Sequence, residues 1–332
     1  MPRSTVNGLT ERACFHNVRV RRHNYKHRIA WRETAPAGEE AKLSEIVQSL
    51  LNGMASGCIY GLVALGFVLI YKATEMVNFA QGDLMMLGAF VAFAAIDALG
   101  LNYWLAFLVA VLFMAAFGYL LDAAILRQVI GQPQFAIVML TIGLGFTFRS
   151  AASMIWGTET RAFETPFTSG VSQVGGLVLN HVSLSIIAGT AILCAALFAF
   201  FRYTRVGVAM QAASQNQLAA YYMGIPVKRI FSLIWAISAA VAAVAGVLLA
   251  PVALIDVTMG LLGLKAFAAA VLGGFGSIPG AVIGGIVIGV IEQFSGRYME
   301  SDLKDVAAYI VILAVLFLRP QGLFGNIGRK RV

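Results

Sequence analysis

Apolar residues fall into long unbroken runs along this chain, at approximately 46–71, 76–98, 103–126, 135–156, 183–201, 231–255, 264–292 and 306–318. None alternates like a half-buried strand. Several reach the roughly 20 residues a helix needs to cross a hydrocarbon core of about 30 Å. In lipid every backbone polar group must be paired within the protein, so these runs predict helices and not a barrel. The expected fold class is all-α, a polytopic helical integral membrane protein built from these apolar blocks.

The connections supply a direction. Residues 157–182 carry Glu159, Arg161 and Glu164 among Thr, Ser and Gly, whereas 202–230 carry Arg202, Arg205, Lys228 and Arg229 and no acid. The positive-inside rule places 202–230, the basic N-terminal tail and the C-terminal GRKRV in the cytoplasm. It places 293–305, with Glu300, Asp302 and Asp305, outside. Two intact blocks between 230 and 293 give the wrong parity unless one of them is broken. Block 264–292 holds Gly273, Gly274, Gly276, Pro279 and Gly280 at its centre, residues that interrupt a helix by entropy and by a missing donor. Two arms of about 13 residues would each rise roughly 20 Å, as in a re-entrant or half-helix pair. The same count breaks 76–98 near Gln81-Gly82-Asp83. The chain then reads as two comparable units, each with a broken block.

Composition agrees with the pattern: 59% of residues are hydrophobic and 12% charged, against roughly 25% charged in soluble domains. Nine of the 24 Lys and Arg lie within residues 1–42, which reads as a basic, disordered cytoplasmic extension ahead of a transmembrane domain at 43–325 and a basic tail at 326–332. No apolar core of a signal peptide precedes residue 46. Cys14, Cys58 and Cys194 offer no disulfide framework, and the tail's Cys14, His16, His23 and His27 lack zinc-ligand spacing. Gly53, Gly57 and Gly61, and Gly276, Gly280 and Gly284 with Gly285 and Gly289, form small-residue stripes that let helices approach closely. Catalytic and phosphate-loop motifs are missing, and acids within the apolar blocks stand singly. No metal site, catalytic residue or nucleic-acid contact is expected.

Asp83 costs roughly 2.5–3.5 kcal/mol at a helix centre. Either it caps or pairs at the break, or it contacts a substrate. Asn78, in the arm itself, is the better candidate for a polar contact in the path. Arg149 is expected to pair with Asp122 in the neighbouring span, and Glu292 to reach the outer interface. Within "RYTRVGVAMQAASQNQLAAYYMGIPVKRIF" a helix is expected over Ala209–Met223 with Gly224 as its stop, making a cytoplasmic knob.

Two long stretches resemble a known family. "LNGMASGCIYGLVALGFVLIYKATEMVNFAQGDLMMLGAFVAF" and "KAFAAAVLGGFGSIPGAVIGGIVIGVIE" are similar to bacterial branched-chain amino acid ABC transporter permeases of the H-type. Ala219-Ala220 followed by Gly224 resembles the EAA pattern of importer permeases, with Leu218 where that motif has glutamate. The resemblance implies a subunit of the inner membrane with both termini cytoplasmic. Its implied partners are an M-type permease homologue, two ATPase subunits that hold the ATP and Mg, a periplasmic substrate-binding protein and membrane lipid. The chain itself would bind no cofactor. It further implies a substrate path lined by Asn78, Phe79, Gln81, Gly273, Gly274 and Gly276 and ATPase coupling through Gln217, Leu218, Ala219, Ala220 and Gly224; the parity count and the breaks themselves favour Gly82, Asp83 and Pro279 as cap or turn residues. Cargo would be branched-chain or related neutral amino acids. Urea or short amides, and an ion-coupled secondary carrier, are the alternatives.

Overall fold

The computed structural model describes residues 38–129, 132–168, 170–174, 177–298, 303–319 and 321–325. Expectations for 1–37 and for the 326–332 tail lie outside them. Helix α1 (Gly38–Thr74) is followed by α2 (Gln81–Asp97), α3 (Tyr103–Ala124) and α4 (Gln134–Trp156). A two-stranded antiparallel hairpin follows, β1 (Val171–Val174) with β2 (Leu177–Asn180). The chain continues through α5 (His181–Tyr203), α6 (Arg205–Gln215), α7 (Gln217–Tyr222), α8 (Val227–Ala253), α9 (Leu262–Gly273), α10 (Ile278–Tyr298) and α11 (Leu303–Leu318). The class is that of a polytopic helical membrane protein. α1 and α8 are buried over most of their apolar length, while α3, α4 and α5 turn large side chains such as Leu112, Met154 and Phe198 outward. That is the surface a bilayer covers.

The glycine stripes set the tightest contact. Gly53, Gly57 and Gly61 of α1 lie directly on the backbone of α10 at Val290, Ile286 and Val282, and Gly285 and Gly289 answer them from α10. The two helices run antiparallel, with no room for a β-carbon at the crossing. Gly280 and Gly284 use the other face of α10 against Gly273 and Ala269 of α9.

Two helices begin halfway through the molecule. Gln81, the first residue of α2, meets Ser238 of α8 and Gly66 of α1, roughly 16 Å into α8 and roughly 12 Å before the end of α1. From there α2 runs parallel to α8, since Gly88 reaches Ala243. The start of α9 packs on the start of α2, with Gly260 and Gly263 against Gly82. From there α9 runs parallel to α1, as Phe267 meets Phe67 and the following Phe275 meets Tyr71. The two half-helices therefore diverge from a shared centre in opposite directions.

Both breaks are built alike. α1 ends at Glu75 with φ of 57° and α8 ends at Leu254 with φ of 62°, the positive-φ non-glycine residues among those described. A side-chain oxygen then turns the chain into each half-helix. Asn78 Oδ1 accepts from Ala80 N at 3.1 Å, and Asp256 Oδ1 accepts from Thr258 N and Met259 N. Irregular backbone at membrane depth is tolerated when buried protein groups satisfy it in this way.

These features correct four expectations. The first break lies at 75–80, ahead of Gln81-Gly82-Asp83, and its leading arm is non-helical. The second mid-depth break lies at 254–261, upstream of the Gly273–Pro279 turn, because Asp256 breaks the chain without a glycine or proline. Each extended segment plus half-helix makes a net crossing, where a return to the same face was expected. In consequence the two ends of the described chain lie on opposite faces. Arg297 at the end of α10 bonds Ser49 at 2.9 Å and pairs with Glu45, while the start of α10 adjoins the C-terminal segment, in which Leu323 N and Phe324 N donate to Leu272 O and Gly273 O at 2.8 and 3.2 Å. Gln217 Nε2 donates to Ala73 O at 3.2 Å, so the 202–230 region sits at the far end of α1 from Ser49, a separation of roughly 36 Å of helix.

Candidate functional site

At the meeting point of the half-helices, the polar residues divide into two groups. Asn78 and Gln81 are fully buried, and their amides bond to one another at 3.3 Å. Gln81 Nε2 donates to Ser238 O at 3.3 Å, and Ser238 Oγ lies 3.0 Å from Gly66 O and 3.1 Å from Gln81 Oε1. Phe79 N donates to Thr141 Oγ1 of α4 at 3.3 Å. This network joins α1, α2, α4 and α8 behind the break, and it occupies the hydrogen-bonding groups of both amides.

Asp83 faces the other way. It stands in the first turn of α2, where Ala80 is the cap position and no side chain caps it. Arg149 of α4 donates to Asp83 Oδ1 through Nη2 at 2.9 Å and through Nε at 3.3 Å. The Asp83 side chain is 8% exposed and that of Arg149 26%. Glycine surrounds the carboxylate: a β-carbon on Gly145 or Gly260 would strike it, and one on Gly82 would strike Gly260 O. The pair lies on the wall of a cavity of about 330 Å³ whose other walls include Phe67, Phe79, Ile142, Phe146 and Leu264. Leu261 and Leu264 also border a second cavity of about 440 Å³ reaching Ala253 and Asp256 at the end of α8.

Arg149 therefore pairs with Asp83 and not with Asp122, because α4 lies beside α2. Asp122 accepts from Ser232 at 2.6 Å and lies 3.8 Å from Arg127. Glu292 does not reach the surface. It is buried and accepts from Lys265 Nζ of α9 at 2.8 Å, since α9 and α10 form a tight hairpin. Lys265 is the residue the sequence reading passed over, although an ionisable residue in an apolar helix is itself a signal of function.

Gly273, Gly274 and Gly276 are not near this centre. Gly273 packs on Gly280, Gly274 has φ of 92° beside Gly325, and Gly276 and Pro279 border a cavity of about 840 Å³ with Lys72 and Arg202. These residues form the turn at the basic end of the molecule. Ser277 Oγ accepts from Gly280 N at 3.1 Å, so serine caps α10 and Pro279 occupies its first turn, where a missing N–H costs nothing.

At the same end, the helix expected over Ala209–Met223 is split by Asn216, whose Oδ1 accepts from Ala219 N at 2.9 Å and starts α7. Gly224, with φ of 82°, closes α7 as Ile225 N reaches Ala220 O at 3.0 Å. Ala220 is buried, whereas Leu218, Tyr222 and Met223 are 69%, 81% and 82% exposed. Gln217, Ala220 and Gly224 shape the knob. Its apolar tip also includes Tyr221, Tyr222 and Met223, which a motif comparison does not single out.

Comparison with known proteins covers most of the chain. The family model described as the permease component of branched-chain amino acid transport systems matches residues 49–316. The high-affinity branched-chain amino acid transport system permease protein BraD of Pseudomonas aeruginosa is 33% identical over 294 residues, covering 84% of this chain and 96% of that protein. The corresponding protein LivH of Escherichia coli has the same identity and coverage. A probable branched-chain amino acid transport permease protein of Methanocaldococcus jannaschii is 29% identical over 80% of this chain and 88% of its own length. A membrane-spanning helical chain matched by that model over most of its length belongs to the family of branched-chain amino acid transport system permease components.

Proposed function

We propose that this chain is the transmembrane permease subunit of an ATP-driven importer that moves branched-chain or related neutral amino acids from periplasm to cytoplasm. The observation that carries the reading is the pair of half-helices starting together at mid-depth, beside cavities that extend towards one face. Such discontinuous helices place polar groups at the centre of a transport path. Family membership supplies the substrate class.

Lys72, Arg127, Arg202, Arg205, Lys228 and Arg229 gather at the end that carries α6 and α7, so the positive-inside rule assigns that end to the cytoplasm. The C-terminal segment then lies inside, and the start of α1 faces the periplasm. The exposed tip of α7 receives an ATPase subunit, which holds the ATP and Mg. The permease partner is an M-type homologue, and a periplasmic binding protein delivers cargo to the opposite face. Phe79 belongs to the path, while Asn78 and Gln81 hold its wall.

The test is leucine uptake by the chain co-expressed with its cognate partners in cells lacking their own branched-chain uptake. Uptake is expected, and it should stop when the partner ATPases cannot hydrolyse ATP. Changing both Leu218 and Met223 to Asp should reduce uptake by more than about tenfold while the protein still inserts, because each change puts a charge into an apolar contact. Uptake by the purified chain alone, without an ATPase, overturns the reading.

A further inference from the structure

We infer that the Asp83–Arg149 pair is a binding site for the zwitterionic head of an α-amino acid in transit, with the facing apolar wall taking its side chain. The inference rests on the importer reading and names the site within it.

The pairing is one-sided. Both hydrogen bonds from Arg149 go to Oδ1 of Asp83, leaving Oδ2 and Nη1 without a hydrogen bond among the described residues. A zwitterion presents the two complementary groups: its ammonium donates to Oδ2 and its carboxylate accepts from Nη1. The pair and its guest then form a closed arrangement of four alternating charges. A neutral amino acid adds no net charge to the membrane interior. A cationic or anionic one adds a single unmatched charge, which costs roughly 2.5–3.5 kcal/mol at mid-depth.

The space suits such a ligand. Binding sites for small molecules run to about 300–1,000 Å³, and this cavity of about 330 Å³ lies at the small end. Phe79, Phe146 and Leu264 line the cavity with the pair and offer an aliphatic side chain an apolar surface. Gly145 and Gly260 let the Asp83 carboxylate sit where a side chain would otherwise displace it. A pair serving only to pin α2 to α4 would need neither the cavity nor the free half of each group.

The experiment measures binding of radiolabelled leucine to the purified transporter complex, without the binding protein, in competition with compounds that carry one charge or two. Valine and isoleucine should displace leucine. 3-Methylbutylamine, which lacks the carboxylate, and 4-methylpentanoate, which lacks the ammonium, should compete at least about tenfold more weakly, as expected for loss of one charge-assisted hydrogen bond. The double variant Asp83→Asn with Arg149→Gln keeps the interior neutral and should lose binding by a similar factor. Should that variant fail to insert, Leu264→Trp fills the cavity and leaves the pair in place, and it should lose binding as well. Equal competition by either one-charge compound overturns the inference, as does unchanged binding in the variants or no leucine binding by the parent complex. Each of these results leaves the importer reading standing so long as the intact system takes up leucine. Absence of uptake overturns both.

Discussion

Asn78 and Gln81 show how a polar side chain can be buried and bonded entirely within the protein. Each spends its amide on other protein groups, and the break in the backbone depends on them. Replacing Gln81 with Leu leaves the Asn78 amide nitrogen without its acceptor in a buried site, while Ser238 keeps its bond to Gly66 O, with a cost of about 1–3 kcal/mol. Thermal unfolding of the purified protein in detergent should therefore occur at lower temperature for Gln81→Leu. An unchanged transition would remove Gln81 from the framework. At this scale the sequence was legible for residue type but not for partner. A polar residue in an apolar run is conspicuous, so Asn78, Gln81, Asp83 and Arg149 were all marked. Which of them meet depends on which helices are neighbours, and hydropathy carries no such information. Arg149 was accordingly matched to Asp122, and Lys265 was lost within an otherwise greasy stretch.

Helix contacts were read more successfully from the glycine spacing. The stripe on α1 meets α10 with no room for a β-carbon, so substituting a large residue must separate the two backbones. Gly57→Leu is expected to cost about 1–3 kcal/mol or more, visible as reduced accumulation of folded protein and greater protease sensitivity. Gly143, which has open space around it, should accept Leu with little change and serves as the control. The breaks were harder to place. Glycine and proline announce a turn, and they correctly marked the one between α9 and α10. At Glu75 and Leu254 the chain turns through positive φ at residues with no preference for it. What holds those turns are contacts made by Asn78 and Asp256, so the local sequence does not advertise them.

Across the whole molecule, the two units run in opposite directions: α1 followed by α2, and α8 followed by α9, are related by inversion across the centre. Counting blocks against loop charges called for one broken block in each unit but placed both breaks away from Glu75 and Leu254, where the chain leaves its helices. It could not tell a half-helix that completes a crossing from one that turns back, because both have the same length and polarity. The described chain therefore begins on one face and ends on the other. In a variant without its native cysteines, Glu45→Cys should react with a membrane-impermeant maleimide added to whole spheroplasts, and Met223→Cys only after permeabilisation. Labelling of both from the same side would overturn the arrangement of α1 against α7.

The contact between the C-terminal segment and the end of α9 has a consequence for synthesis. Leu272 O and Gly273 O are bonded by residues that leave the ribosome only after α10 and α11. During translation the end of α9 must wait, with those carbonyls unsatisfied or borrowed by water or the insertion machinery. Final closure of the second unit therefore cannot precede the emergence of Leu323 and Phe324 from the ribosome. A ribosome stalled shortly before Leu323 would hold a protein whose helices are all made but whose second half has yet to lock.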